Sequence, residues 1–183
     1  MTTATQTATS TWTIDPTHSI AEFAVKHLVI TTVKGRFRDL EGKLEIDQAN
    51  PENSSVTANI QVASIDTNLA DRDAHLRSDD FFNAEQYPLI TFQSTRLERI
   101  NDEHYKVHGD LTIRDVTRPV TLDTEFEGEI DDPWGNHRAA LTATTQISRK
   151  EFGVKWNQAL ETGGAVVSDK VKITLHIEAI RQK

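Results

Sequence analysis

HYKVHGDLTI, residues 104–113, sets Tyr105, Val107, Gly109, Leu111 and Ile113 on one side of an extended chain and His104, Lys106, His108, Asp110 and Thr112 on the other. Alternation with a period of two is the signature of a β-strand with one face buried and the other in water. The pattern recurs outward from this stretch. Val120, Leu122, Thr124, Phe126, Gly128 and Ile130 alternate with Thr121, Asp123, Glu125, Glu127 and Glu129; Ala139, Leu141, Ala143, Thr145 and Ile147 follow, then Val171, Ile173, Leu175 and Ile177. The first half carries it less purely, in Ala21, Phe23 and Val25, in Val56, Ala58, Ile60 and Val62, and in Ile90 and Phe92. About eight strands result, separated by turn signals such as Asn101-Asp102 and Asp131–Asn136 that suit antiparallel neighbours. Gly35 and Gly42 mark an expected bulge or bend in the strand around residues 33–47.

Asn68 to Asn83 departs from this pattern. Asn68 is placed to cap a helix with Asp71 in its first turn, and Ser78 to cap a second short turn, which predicts a helical crossover between two strands. The chain therefore reads as all-β. Strands with one polar face must close on themselves or pack on a second sheet. Several run to about ten residues, against a usual length of roughly 5–6, and meander from hairpin to hairpin, which favours an antiparallel eight-stranded barrel over a sandwich. The inward face holds small residues: Ala21, Ala58, Gly109, Thr124, Gly128, Ala139, Ala143 and Thr145. Either the lumen keeps free apolar volume, or Phe23, Phe37, Phe92 and Phe126 reach across and fill it. On the alternation alone the two readings are even.

At 183 residues the chain suits one domain, expected over residues 11–183 behind a disordered tail at 1–10. A net charge of −8 argues against nucleic acid or anionic membrane surfaces as main partners. With 0 Cys there is no disulfide, thiolate nucleophile or cysteine metal site. Residues 1–10 lack the basic and apolar regions of a secretory signal, and no run of about 18 apolar residues suggests a membrane span. The cytoplasm is the default location, or the periplasm if a signal has been removed.

Read in order, DPTHSIAEFAVKHL, KGRFRDLEGKL, SSVTANIQVASIDT, RDAHLRSDDFFNAEQYPLITFQST, YKVHGDLTIRDVTRPVTL and ISRKEFGV resemble the YceI-like family over nearly the full length. The resemblance implies an extended lipocalin-like barrel with a short helical crossover. It also implies a lumen that binds a polyisoprenoid or similar long-chain amphiphile, often in a homodimer, with no cofactor and no established catalysis. Asp15, His18 and Ser19 match the opening motif; Arg72, His75 and Leu76 the helical one; Phe81, Phe82, Tyr87, Pro88 and Phe92 the next; Arg149, Phe152 and Gly153 the last.

The expected lumen lining is Phe23, Val25, Ile60, Val62, Ile90, Phe92, Leu111, Leu122, Phe126, Leu141, Ile173 and Leu175. Arg72, His75, Arg77, Phe152, Lys155 and Trp156 are candidates for the mouth, where an arginine fork could meet an anionic head group; against this, the arginines could simply pin the helix through Asp71, Asp73 or Asp79. The segment 151–164 reads as a cover over the opening or as a plain long hairpin. Trp12 is expected to plug one end and Trp134 to cover a turn. No metal is expected, since His104 and His108 stand about 13 Å apart on an outward face. Ser19 beside His18 is no nucleophile, because strand neighbours face opposite ways. Competing classes are an enzyme acting on a small apolar substrate in the same cavity, and a ligand-free structural or stress-response protein.

Overall fold

Each alternating stretch forms a strand in the computed structural model, which describes residues 9–183. In chain order these are β1 (Thr9–Ile14), β2 (Ile20–His27), β3 (Thr31–Phe37), β4 (Leu40–Asp47), β5 (Ser55–Gln61), β6 (Ile65–Asp66), the helix α1 (Ala70–Arg77), β7 (Leu89–Arg99), β8 (His104–Ile113), β9 (Val116–Asp131), β10 (His137–Ser148) and β11 (Val167–Arg181). All pairings are antiparallel. The ladder runs β1-β4-β5-β7-β8-β9-β10-β11, and β11 returns to β1, so eight strands close into a barrel. Thr9 and Ser10, assigned to the tail from sequence, already belong to β1 and pair with Asp47 and Ile46. The rest of that tail lies outside the described residues.

β2 and β3 arise because two long strands are broken. β1 and β2 lie end to end along one edge of β11, pairing with Ala179–Arg181 and with Val167–His176 respectively. Between them Pro16 cannot donate to a ladder. Side chains repair the gap: Ser19 Oγ donates to the Glu178 carbonyl at 3.1 Å and accepts from the Glu178 amide at 3.0 Å. β3 and β4 are divided at Arg38-Asp39, whose amides donate to the carbonyl and the hydroxyl of Ser64. The bend expected at Gly35 or Gly42 is therefore displaced to this pair. Both glycines instead allow close approach: a Cβ on Gly35 would lie 2.3 Å from Phe23 Cζ, and one on Gly42 2.5 Å from the Thr57 carbonyl.

β9 contains a bulge that the sequence reading missed. Leu141 faces Phe126 but Ala140 faces Gly128, so Glu127 is the extra residue. One inserted residue reverses the faces beyond it. Ile130, expected inside, is 69% exposed.

Beside β3 the ladder stops at the two-residue β6. α1 and the turn after it cover that side, with the Phe82 ring edge-on to Phe37 at 5.8 Å. Arg114 fastens the turn by donating to the carbonyls of Asp79 and Phe81, each at 3.0 Å. Asn68 is not the helix cap. It takes a left-handed φ of 61°, Leu69 holds the cap position, and the Asp73 carboxylate accepts from the Thr67 amide and hydroxyl. Ser78 closes the C-terminal end of α1, its hydroxyl donating to the His75 carbonyl.

Candidate functional site

Two apolar clusters line the barrel. One, at the end where β1 begins, gathers Trp12, Ile14, Leu40, Leu44, Ile177 and Ala179. Trp12 is the expected plug: 5% exposed, its indole N–H donates to Ser10 Oγ and its ring lies 5.5 Å from the His137 ring. Trp134, by contrast, covers nothing and is 81% exposed. The other cluster, around Phe37, Val62, Phe81, Ile113, Ile147 and Phe152, occupies the α1 end.

An elongated cavity of about 230 Å³ runs between them. Protein interiors are close-packed, and a cavity of roughly 150 Å³ already accommodates a benzene ring. Its wall reaches from Ile177 to Val167, ten residues along β11. At about 3.3 Å per residue and a strand tilt of roughly 40°, that is about 25 Å along the barrel axis. Such a space is long, narrow and greasy.

Ten of the twelve expected lining residues stand on this wall: Phe23, Val25, Ile60, Ile90, Phe92, Leu111, Leu122, Leu141, Ile173 and Leu175. Val62 and Phe126 do not. Val62 lies in a 3-10 turn after β5, 1% exposed within the core, because the strand ends at Gln61 and alternation ends with it. Phe126 sits half-buried at the β9 bulge, outside both clusters, where the strand bends away. The wall also includes Leu76, Phe81 and Phe82 from the α1 side, of which the last two carry a faint signal in their apolar pairing within a polar stretch. The two readings of the small inward residues both hold in part. Phe92 lies over Gly109, whose Cβ would meet its Cζ at 2.4 Å, and Phe23 lies over Gly35, while Ala143 stands on the cavity wall.

Among the described residues, Arg149 is the one cation on the wall. It is 6% exposed, with Nε donating to the Ser168 carbonyl at 2.9 Å, Nη1 to Val154 and Trp156 at 2.8 and 2.9 Å, and Nη2 to Val167 at 3.1 Å. Burial lowers its pKa and the Asp169 charge partly offsets this. The guanidinium thereby ties the 154–156 segment to the start of β11 as a cover for this end. Beyond it, Ala159 and Ala165 pair as a short hairpin.

None of the six proposed mouth residues is on the cavity wall. Arg72 donates to Thr67 Oγ1 and to the Thr67 carbonyl, both at 2.7 Å. It thus pins the helix, though through a threonine rather than an aspartate. His75 bonds Asp80 at 2.8 Å, and its ring meets Phe81 and Trp156 edge-on at 5.1 and 4.8 Å. Arg77 reaches the Ala63 carbonyl at 3.5 Å, Lys155 is exposed, and Phe152 is core rather than mouth at 1% exposed. The structure therefore brings His75 and Trp156 together over Phe81 and disperses the rest.

A polar cluster lies at the β1–β2 break, built on Asp15 and His18 of the opening motif. Asp15, His18 and Glu178 bring ligand-type atoms within 4.8 Å of one another. A cation is already there: Arg138 Nη1 donates to Asp15 at 2.8 Å and to Glu178 at 2.5 Å, and its Nε donates to Asp132 at 2.6 Å. The Thr17 hydroxyl, then His18 and Arg138, hold the Asp15 carboxyl well below the usual range. Arg138, then Asn136, does the same for Asp132. This network locks the broken strand to the β9–β10 hairpin.

The YceI-like domain model matches residues 12–179. The chain belongs to the YceI-like family. It is 39% identical over 166 residues to Protein YceI of Escherichia coli O157:H7, covering 91% of this chain and 83% of that one, and 39% identical over 165 residues to a UPF0312 protein of Pseudomonas aeruginosa, at 90% and 83% coverage. Among solved structures, the Campylobacter jejuni YCEI protein superposes with a TM-score of 0.73 at 32% identity, covering 86% of this chain and 90% of that one. Burkholderia cenocepacia BcnA gives a TM-score of 0.79 at 24% identity, covering 90% and 98%. A polyisoprenoid-binding domain from Saccharophagus degradans gives 0.68 at 16% identity, covering 93% and 98%. The lipocalin-like barrel is thus the fold of this YceI-like chain. Among its described residues no helix is long and apolar enough to cross a membrane.

Proposed function

We propose that this YceI-like chain binds a polyisoprenoid or similar long-chain amphiphile in its lumen, to sequester or carry it, without acting on it chemically. The observation that carries the reading is the elongated cavity of about 230 Å³ with an almost wholly hydrocarbon wall. A chain buried there gains roughly 25 cal/mol for each Å² of apolar surface removed from water. The Saccharophagus degradans neighbour, described as a polyisoprenoid-binding domain, has the same fold. The ten lining residues expected from sequence supply shape and grease. Chemistry in the lumen would need a positioned acid, base or nucleophile. Of the ionisable groups on the wall, Glu22 is exposed and Arg149 spends its donors on carbonyls, so the wall supports holding a ligand over transforming one.

Native mass spectrometry of gently purified protein, with lipid extraction, tests this. A bound long-chain lipid, or displacement of a fluorescent lipid by added polyprenol, is the expected result. Protein that stays empty and ignores polyprenols would sink the proposal. The homodimer implied by the family resemblance belongs to the same proposal and is read by sedimentation velocity.

A further inference from the structure

The turn joining β2 and β3 is made of three apolar residues in the open. Leu28, Val29 and Ile30 are 40%, 70% and 80% exposed. Leu28 and Val29 have φ of 51° and 68°. Asn, Asp or Gly ordinarily fills turn positions of positive φ, because a branched side chain strains in the left-handed region. Here a β-branched valine stands in that position and points into solvent. Neither folding nor solubility explains the choice.

Two further features surround the tip. From Phe23 to Arg38 the hairpin contains Lys26, His27, Lys34, Arg36 and Arg38 and not one carboxylate, in a chain whose net charge is −8. Arg36 and Arg38 are held by Asp66 at the far end of β3, which leaves Lys26, His27 and Lys34 flanking the tip. The adjoining hairpin adds one carboxylate, Glu161, while Asp169 on β11 already accepts from the Ser148 hydroxyl and the Lys150 amide. The tip also stands beside the covered end of the lumen. Val25 and Val167 end the cavity wall, Val167 pairs with His27, and the Leu28 amide donates to the Val166 carbonyl.

An exposed apolar wedge flanked by cations on long stems is the arrangement that enters the boundary between headgroups and acyl chains of an anionic bilayer. We propose that Leu28, Val29 and Ile30 form a membrane-docking wedge that seats the mouth of the lumen on a bilayer containing anionic phospholipid. The wedge would place the cavity entrance against the phase in which a long-chain amphiphile resides. This deepens the lumen reading and rests on it only for its purpose, since docking is measured without any lumen ligand.

The test is co-sedimentation of the full chain with vesicles of equal parts phosphatidylglycerol and phosphatidylcholine, alongside pure phosphatidylcholine. Val29→Gly with Ile30→Ser removes the wedge and relieves the strained turn. We expect the wild type to bind the anionic vesicles, the double variant to lose roughly tenfold or more in partitioning, and its melting temperature to stay level or rise. Lys26→Gln with Lys34→Gln should weaken binding to the anionic vesicles and flatten its salt dependence. Displacement of a soluble fluorescent lipid should be equal in all of them, which separates failure of docking from failure of the lumen. Equal vesicle binding by wild type and double variant overturns the proposal. So does a wild type that ignores anionic vesicles, and so does sedimentation velocity in which the variant loses self-association while vesicle binding is unchanged, since the wedge is then a contact with a second copy of the chain.

Discussion

Ala143→Phe asks directly whether the lumen is free volume. Ala143 sits midway along β10, opposite Thr124 and Leu175, buried and on the cavity wall. Empty apolar volume costs about 24 cal/mol per Å³, so the 230 Å³ cavity sets a ceiling of about 5.5 kcal/mol on what complete filling could recover. A phenyl ring recovers part of this, less its rotamer entropy, giving an expected gain of about 1–2 kcal/mol in delipidated protein. For a chain of this length that is a rise of about 2–8 °C in Tm. Had the core been full, the same ring would instead cost about 1–3 kcal/mol. Occupying the middle of a narrow channel should also lower polyprenol affinity at least tenfold, about 1.4 kcal/mol. Differential scanning calorimetry and fluorescent-lipid displacement read the two effects. A fall in Tm would show that the free volume is not there, and unchanged affinity would show that the ligand does not lie in the lumen.

Three other perturbations probe the supporting structure. Arg138→Gln removes the cation shared by Asp15, Asp132 and Glu178. Carboxyls held below their ordinary pKa in the fold contribute stability above about pH 4 that is lost as pH falls towards the folded values; urea midpoints measured between about pH 5 and 2 should therefore start lower in the variant and fall less steeply, with a residual slope from Asp15, which keeps Thr17 and His18, and from Asp66. That carboxyl, held at about 2 first by the Asn68 amide and then by Arg38, is untouched by the substitution; a slope equal to that of the wild type would refute the network's role. Arg149→Met orphans buried carbonyls of the 154–168 segment, each worth about 1–3 kcal/mol, and should raise hydrogen exchange there selectively; uniform exchange would show that the clamp does not act. Gly109→Ala drives a methyl into the Phe92 ring and to 2.6 Å from the Gln93 carbonyl, for a loss of about 1–3 kcal/mol by urea unfolding, whereas a neutral result would mean that the ring is not held over the glycine.

How much of this was legible follows from the range over which each cause acts. Alternation is local, so β8, β10 and β11 could be read directly from residues 104–113, 137–148 and 167–181. Ten of the twelve lining residues follow from that parity alone. The two misses mark places where parity is interrupted by something alternation does not encode, a 3-10 turn at Val62 and an extra residue at Glu127. Side-chain reach is equally invisible. Nothing in the composition of β8 says that Phe92, on the neighbouring strand, will cover Gly109. The Arg138–Asp15 contact joins residues 123 positions apart, so the opening motif marked Asp15 but gave no sign of its partner. The mouth candidates failed for the opposite reason: Arg72 and His75 have partners close by in sequence, and these claim them before any ligand could.

The two ends of the barrel are built by different means, and under the proposed function this difference decides where a ligand would enter. At the Trp12 end, β1 closes onto β4 and β11 through backbone ladders, and the Trp12–His137 contact lies within. Opening there would break several strand pairings together. At the α1 end the ladder stops at β6, and the closing pieces are α1, its following turn and the 154–166 segment. Arginine side chains hold them to the frame: Arg114 on the turn, Arg149 on the cover, Arg72 at the start of the helix. Segments fixed by a few side-chain bonds open at lower free energy than segments in a ladder, because they release fewer contacts at once. The lumen is thus sealed at one end and latched at the other, and the latched end carries the exposed Leu28-Val29-Ile30 tip. If the lumen holds a lipid as proposed, its exchange requires release of the cover around Arg149 while the barrel wall stays intact, so exchange rate and global stability should respond independently to substitution at Arg149 and at Trp12.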